Sequence, residues 1–176
     1  INYDIIPYQL VIGGQKAAFF MIQGFVDSTV LAMLLKNVAA IPQTPSSSLF
    51  LALKEKYFPI SQIEIVDDLD CLVDGVLMGQ VAFLLDGEAK GLLLDLRQFA
   101  ARGPQEPDLE KVVRGSRDGF TETIVYNTQL IRRRIRDGNL RTKILQIGRR
   151  SKSDVCVCYI EDIANSHLVE MVLNKL

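Results

Sequence analysis

The sequence predicts an α/β (α+β) fold made of two small subdomains, each a mixed sheet with flanking helices. Three observations support this fold class. Strand and helix patterns alternate along the chain, a strand–strand–helix pattern occurs twice, and a segment rich in proline and glycine separates the two occurrences. We therefore expect a first α/β subdomain at residues 1–100, a linker at 101–119, and a second, incomplete subdomain at 120–176.

After their second strand, the two copies of the pattern align with each other without a gap. In the first copy, residues 9–12 and 16–23 read as strands around Gly13-Gly14, and a helix begins at Asp27-Ser28. In the second, residues 143–147 and 154–160 read as strands, and a helix begins at Asn165-Ser166. Asp and Asn both suit a helix N-cap, because their side-chain oxygens accept backbone N–H bonds. The repeat indicates two related subdomains, and chance similarity of two such units remains an alternative.

The elements between the copies follow from shorter patterns. Residues 41–48 have the composition of a linker. After it we predict a helix from Ser48 to residue 56, a strand at 62–66, a short helix at 67–73, and a hairpin with strands at 81–85 and 90–96. The hairpin turn contains Asp86-Gly87, which favours a type I′ turn. Both hairpin strands are almost wholly apolar, which predicts a sheet covered on both faces.

The composition is that of a soluble globular domain, with 48% hydrophobic and 23% charged residues. No apolar run approaches the roughly 20 residues of a membrane helix, and the first nine residues lack a signal-peptide pattern. Because the chain begins without methionine and ends on an apolar helix, we expect a fragment of a longer protein. Charge is distributed unevenly: residues 1–100 carry 11 acidic and 6 basic side chains (−5), and residues 101–176 carry 10 and 14 (+4). Such asymmetry suggests subdomains that attract each other or different partner surfaces.

The helix after Phe120 is the main candidate site. Phe120, Ile124, Ile131 and Ile135 recur at helical spacing and predict a buried stripe with Asn127 in its middle. The preceding turn at residues 114–119 is the nearest partner for the Asn127 amide. Asn127 then either fastens this turn to the helix, or the turn and the helix start form a niche for an anion or small ligand.

An arginine run closes the same helix. Its members are expected to cover every direction except the buried stripe and to oppose the helix dipole, with Gly138 as a left-handed C-cap. The run is either a solvated face, a contact for an acidic protein surface such as the aspartates at 67–74 of a second copy, or a contact for anionic lipid headgroups. The candidate binding or interface residues are Arg114, Arg117, Phe120, Asn127, Arg132, Arg133, Arg134 and Arg136.

Catalytic, metal and cofactor patterns are missing from the sequence. His167 is the sole histidine, and a zinc site needs about four ligands. The aspartates at 67–74 do not match a calcium loop, and neither glycine-rich turn has the spacing of a phosphate-binding loop. Cys156 and Cys158 are expected to share one face of a strand as free thiols. We therefore predict a non-enzymatic protein without metal or cofactor, and no nucleic-acid partner, because the chain is not strongly basic.

Three segments together carry a resemblance to a known family. They are the Arg-Gly-Ser-Arg-Asp-Gly-Phe stretch at 114–120, Asn127 with the arginines at 132–134, and the Tyr-Ile-Glu to Ala-Asn stretch at 159–165. They resemble the germinant-receptor A-subunit family of spore-forming bacteria, densely over residues 108–176 and more weakly back to about residue 5. Many relatives have proline and glutamate where this chain has Ser116 and Asp118, a departure that resembles one branch of the family.

This resemblance implies a location and a role. Family members carry a soluble N-terminal region of two α/β subdomains followed by a membrane domain, which would place the intact protein in the spore inner membrane with this domain on the cytoplasmic (core) side. It implies an oligomeric, ion-conducting assembly with copies of itself and other spore membrane proteins, and, for that branch, amplification of germination. We therefore expect an assembly domain coupled to an ion pathway. The alternative is a small-molecule (nutrient) sensor with a cleft between the subdomains.

Overall fold

A computed structural model describes residues 2–42, 49–98 and 119–176 of the chain. It shows an α+β fold with one five-stranded sheet, one two-stranded sheet and flanking helices, which confirms the predicted class. The predicted mixed sheets are corrected in one respect, since all strand pairings in the described residues are antiparallel. The predicted linker at 101–119 lies outside the described residues except for Gly119, so the subdomain boundary stays a prediction.

The large sheet has the strand order β1-β2-β4-β5-β3, and its strands are β1 (Ile5–Ile12), β2 (Gln15–Ile22), β3 (Ile63–Val66), β4 (Val81–Leu85) and β5 (Gly91–Leu94). The β1–β2 turn consists of Gly13 and Gly14, both at positive φ (56° and 84°). Two consecutive residues at positive φ form the turn that matches strand twist, and glycine adopts this conformation without a steric penalty. The register places Ile12 opposite Gln15.

The predicted hairpin of β4 and β5 is present, but its turn differs from the prediction. Gly87 has a positive φ of 86°, whereas Asp86 does not. A type I′ turn needs both residues at positive φ. The Asp86 N–H instead donates to the carbonyl oxygen of Lys16 on β2 at 2.8 Å, so the turn is shaped by the neighbouring strand.

Both faces of the large sheet are covered, as the apolar strands predicted. On one face pack α1 (Ser28–Ala39), α2 (Leu49–Ala52) and a π-helical segment (Leu53–Tyr57), around the rings of Phe19, Phe58 and Phe83. On the other face, Leu72 and Val76 of α3 (Leu69–Leu77) pack with Ala82 and Leu93. The Asp68 side chain caps α3 by accepting from the Asp70 N–H at 3.1 Å.

The remaining elements are α4 (Ile124–Arg134), β6 (Leu140–Ile147), β7 (Ser153–Ile160) and α5 (Ser166–Lys175). Hairpin β6–β7 with α5 repeats hairpin β1–β2 with α1, in the same order and with strands of eight residues. Each residue of β7 and of the N-terminus of α5 has its equivalent 138 positions earlier in β2 and α1, because Gln15 and Ser153 begin the strands and Ser28 and Ser166 begin the helices. Both N-caps accept two backbone N–H bonds, Asp27 from Thr29 and Val30, and Asn165 from His167 and Leu168.

In the part of the chain that the structure describes, no helix is long and apolar enough to cross a membrane.

Candidate functional site

The start of α4 is fastened to the segment before it by Asn127. The Asn127 Oδ1 accepts from the Thr121 N–H at 2.7 Å, and its Nδ2 donates to the Thr121 carbonyl oxygen at 2.7 Å. A two-way bond between one side-chain amide and one backbone residue satisfies both polar groups of each partner. Thr121 lies two residues after the predicted turn at 114–119, so Asn127 bonds to the segment that follows the turn and not to the turn itself. Arg114 and Arg117 lie outside the described residues.

Arg132 lies at the centre of a buried ion-pair network. Its side chain is fully buried, and its Nε and Nη2 donate to the two carboxylate oxygens of Asp4 at 2.6 and 3.2 Å. The same guanidinium donates to the carbonyl oxygens of Asp137 (2.9 Å) and Leu140 (3.0 Å), and the Thr142 hydroxyl donates to Asp4 at 2.7 Å. The planar fork of arginine suits such a bidentate carboxylate contact.

This network joins the two sheets. Asp4 immediately precedes β1 of the large sheet, whereas its partners Arg132 and Thr142 belong to α4 and β6. The junction continues with the Tyr3 N–H donating to the Thr142 carbonyl oxygen at 3.0 Å, and the Thr142 N–H donating to the Asn2 Oδ1 at 3.2 Å. Among the described residues no buried side-chain nitrogen or oxygen is left without a partner. The contact between the sheets is therefore polar and hydrogen-bonded.

A close approach at Gly24 belongs to the same junction. A Cβ atom added to Gly24 would lie 1.7 Å from the Nε2 of Gln129 on α4, and Gly24 also has a positive φ of 79°. A side chain at position 24 would displace the terminal amide of Gln129 and would hold a strained backbone conformation. Glycine at this position is thus favoured mainly by its positive φ, and the side chain of Gln129 packs into the space that glycine leaves.

The predicted arginine face is wrong for Arg132, which faces the interior. Arg133, Arg134 and Arg136 are exposed, and Arg133 and Arg134 each take part in a further interaction. The buried residues of α4 are Thr128, Gln129 and Arg132, which lie on one helical face at spacings of one, three and four. This buried face is polar: Arg132 pairs with Asp4, the Thr128 hydroxyl donates to the Val125 carbonyl oxygen at 2.9 Å, and Gln129 lies against Gly24. A search for apolar stripes cannot detect such a face.

Two further predictions about this helix are wrong. Phe120 was assigned to the buried stripe, but its side chain is 70% exposed and precedes the helix, which begins at Ile124. Gly138 was assigned as a left-handed C-cap, but the helix ends at Arg134 with Ile135 in an extended conformation. The side chain of Asp137 instead accepts from the Asn139 N–H at 2.7 Å and forms the turn into β6.

An open groove of about 260 Å³ lies between α4 and β7. It is lined by Phe120, Ile124, Asn127, Thr128 and Ile131 on one side and by Asp154, Val155, Cys156 and Cys158 on the other. The Sγ atoms of Cys156 and Cys158 lie 3.6 Å apart, which places both thiols on one strand face. Burial, followed by the neighbouring Cys158, raises the pKa of the Cys156 thiol to about 12, so this thiol is protonated at neutral pH and a weak nucleophile.

Among the described residues, the other titratable groups form no arrangement suited to a metal ion. Within residues 2–42, 49–98 and 119–176, no group of three or more His, Cys, Asp or Glu side chains could hold a metal ion. The pKa of Asp95 is lowered by hydrogen bonds from Arg97, and the pKa of Glu161 is lowered by its hydrogen bond from Arg141. Both pairs are local ion pairs near the surface.

Comparison with known proteins identifies relatives over the whole chain. The sequence profile of the Bacillus/Clostridium GerA spore germination protein family matches residues 1–176. Stage V sporulation protein AF of Bacillus subtilis (strain 168) is 41% identical over 176 residues, which cover 99% of this chain and 36% of that protein. Spore germination protein B1 of the same organism is 30% identical over 177 residues, covering 99% of this chain and 37% of that protein.

A solved structure has the same fold. The N-terminal domain of the A subunit of the Bacillus megaterium spore germinant receptor GerK3 matches with a TM-score of 0.77 and 24% identity, covering 99% of this chain and 65% of that one. The chain spans about a third of the length of the curated relatives. The resemblance predicted from the arginine-glycine turn and the helix after it is confirmed. The chain belongs to the Bacillus/Clostridium GerA spore germination protein family.

Proposed function

We propose that this chain is a non-enzymatic assembly domain of a spore germination protein. In this proposal it packs against copies of itself and against other spore membrane proteins, and it couples them to an ion-conducting complex. The intact protein lies in the spore inner membrane with this domain on the core side. Family membership supports the general role in sporulation and germination, and the surface of the domain supports association.

The observation that carries the proposal is a pair of exposed surfaces of opposite charge. Arg133, Arg134 and Arg136 are exposed at the end of α4, and we call them the basic surface. The acidic surface at α3 consists of exposed Asp67, Asp68, Asp70 and Asp74, with exposed Leu69 and Val73 among them. Apolar side chains inside a charged rim are typical of association surfaces.

Two different complementary surfaces on one chain favour head-to-tail contacts. Such a contact joins the basic surface of one copy to the acidic surface of the next, and it generates a ring when the rotation closes. Complementary charges raise the association rate and fix the register of the contact. Anionic lipid headgroups are the competing occupant of the basic surface, because clustered basic residues also bind negative membrane surfaces.

The α4–β7 groove favours the alternative of small-molecule sensing. It offers the Asp154 carboxylate beside apolar walls, but the Asn127 amide in its lining is bonded to Thr121, and its volume of about 260 Å³ lies below the range usual for ligand sites. The predicted cleft between the subdomains has less support, since the Asp4–Arg132 network and Gln129 fill the junction that the structure describes. Direct binding of a germinant to the domain, abolished by Ile131→Trp in the groove, would favour this alternative.

Charge reversal in the full-length protein tests the assembly proposal. Arg133→Glu with Arg136→Glu should reduce the oligomer and slow germination, because like charges then face each other across the contact. Adding Asp70→Lys and Asp74→Lys should restore both. Arg149→Glu with Arg150→Glu, exposed in the β6–β7 turn, is the matched control.

Three measurements separate the outcomes: oligomer mass in detergent, germination of spores carrying each variant, and binding to vesicles with anionic lipid. Normal germination and normal oligomer mass at normal protein levels would contradict the proposal. Loss of vesicle binding with an intact oligomer would assign the basic surface to lipid.

A further inference from the structure

Within the part of the chain that the structure describes, the outer edge of β7 carries unpaired backbone groups. The Glu161 N–H donates to the Asn139 carbonyl oxygen at 2.9 Å, so the odd-numbered residues of β7 exchange hydrogen bonds with β6. Thr142 of β6 lies opposite Cys158 and does not exchange hydrogen bonds with it. Its N–H and C=O groups bond to Asn2 and Tyr3 on the other side of β6. Alternate residues of an antiparallel strand direct both backbone groups to opposite sides. The N–H and C=O groups of Asp154, Cys156 and Cys158 therefore point away from β6.

The same edge is paired in the first copy of the repeat. The equivalents of Cys156 and Cys158, 138 positions earlier, are Ala18 and Phe20 of β2. Ala18 lies opposite Leu84 of β4, and Phe20 lies opposite Ala82. Within the described residues, β7 pairs with β6 alone. An exposed edge with a row of unpaired donors and acceptors is a template for another strand.

The helix of the second copy, α5, exposes the residues whose equivalents in α1 are buried. Leu34 and Val38 of α1 are 0% and 2% exposed, because they pack in the core that includes Leu53 and Phe83. Their equivalents in the second copy, Val172 and Leu176, are 39% and 47% exposed. In the first copy this stripe is covered by elements that follow α1 in the chain, namely the π-helical segment and β4.

The face of β7 that carries the side chains of Cys156 and Cys158 is covered by α4. Helix α4 lies over the side chains of Cys156 and Cys158, as the groove lining shows. In the first copy, α3 covers the equivalent face, where Phe20 packs with residues of α3. Among the described residues, the second copy is therefore open on one edge and on one helix stripe. Both openings correspond to positions that later segments fill in the first copy.

We propose that the outer edge of β7 at residues 154–158 and the α5 stripe of Leu168, Val172 and Leu176 form one docking face for a later segment of the same polypeptide. An apolar strand of that segment pairs antiparallel with β7, as β4 pairs with β2. The length of the relatives supports this occupant, because this chain covers 65% of the GerK3 domain with the same fold and 36% of stage V sporulation protein AF.

Hydrogen–deuterium exchange of the full-length protein, resolved to single amides, tests this pairing. We expect the amides of Cys156 and Cys158 to exchange about 100-fold or more below the rates of an unstructured peptide, and we expect the same of Ala18 and Phe20, which pair with β4. Exchange within about tenfold of peptide rates at Cys156 and Cys158, with Ala18 and Phe20 protected, would overturn the proposal. Protection that is lost on dilution to a monomer would overturn it too, because it would assign the edge to a second copy.

A proline substitution provides an independent test. Cys156→Pro removes an N–H that faces the outer edge and leaves the β6 bonds of Val155 and Val157 in place. If a strand pairs there, Cys156→Pro should lower the unfolding midpoint of the full-length protein relative to Cys156→Ala, as Ala18→Pro should relative to Ala18→Gly. Equal midpoints for Cys156→Pro and Cys156→Ala would show an open edge and contradict the proposal.

Discussion

The two hairpin–helix units, at residues 5–39 and 140–175, have the same elements but different surroundings. Their strands have equal lengths and their helices begin with equivalent Asx caps. Yet α1 has buried residues, whereas α5 has none. Local sequence therefore specifies the elements, while burial depends on the neighbours that each unit acquires. The first unit is covered by apolar helices and strands, and the second is joined to it through a polar junction.

Removing the buried arginine should produce the largest effect in this comparison. Arg132→Ala leaves the Asp4 carboxylate buried without its ion-pair partner, so we expect a loss of about 3–5 kcal/mol in the free energy of unfolding. Urea unfolding measures this loss, and Arg136→Ala, at an exposed arginine two residues after the end of α4, should stay within about 0.5 kcal/mol of the original. A cost below about 1 kcal/mol for Arg132→Ala would mean that the polar junction does not stabilise the fold.

Matched leucine substitutions compare the two helices directly. Leu34→Ala in α1 should cost about 2–5 kcal/mol, because this fully buried side chain leaves a cavity. Leu168→Ala in α5 should cost less than about 1 kcal/mol in the 176-residue chain, since that side chain is 53% exposed. The midpoints of thermal unfolding decide between these expectations. Similar costs at both positions would refute the claim that the second unit is open.

Hydrogen bonds of asparagine side chains, one in α1 of the first unit and one in α4 before the second unit, offer a third comparison. Asn127→Ala removes both hydrogen bonds to Thr121 and should cost roughly 1–3 kcal/mol. Asn37→Ala in α1 removes a single longer bond, 3.3 Å from its Nδ2 to the Tyr57 carbonyl oxygen, and should cost about 1 kcal/mol or less. Chemical denaturation of both variants would reverse this order if Asn127 does not fasten the segment before α4.

The helix caps should show the smallest difference between the units. Asp27→Ala and Asn165→Ala each remove an acceptor for two backbone N–H groups, so each should cost about 0.5–2 kcal/mol. We expect the two costs to agree within about 0.5 kcal/mol, because both caps act locally whatever covers the helix. Circular dichroism during thermal unfolding is the measurement, and a much larger cost at Asp27 would show that the cap also depends on tertiary packing.

Patterns of near neighbours could be predicted from the sequence alone. The repeat, both Asx caps, the apolar hairpin of β4 and β5 and the shared face of Cys156 and Cys158 follow from strand period, helix period and cap chemistry. The family also follows from the sequence, because its motifs lie in short segments. The candidate site was predicted in part: the Asn127 amide does bond to backbone before α4, but its partner is Thr121 and not the turn at 114–119.

The role of Arg132 was decided by the tertiary structure. A local sequence pattern cannot distinguish one of four arginines that lie within five positions. The fold brings Asp4, 128 residues away in sequence, to Arg132 and buries both side chains. Burial of a charge depends on a partner that is distant in sequence, so helix periodicity places Arg132 on the surface, where three of the four arginines do lie. The turn at Asp86-Gly87 was decided in the same way, by a bond to Lys16 on another strand. Local sequence determined which elements form, and long-range contacts determined which of their faces are buried.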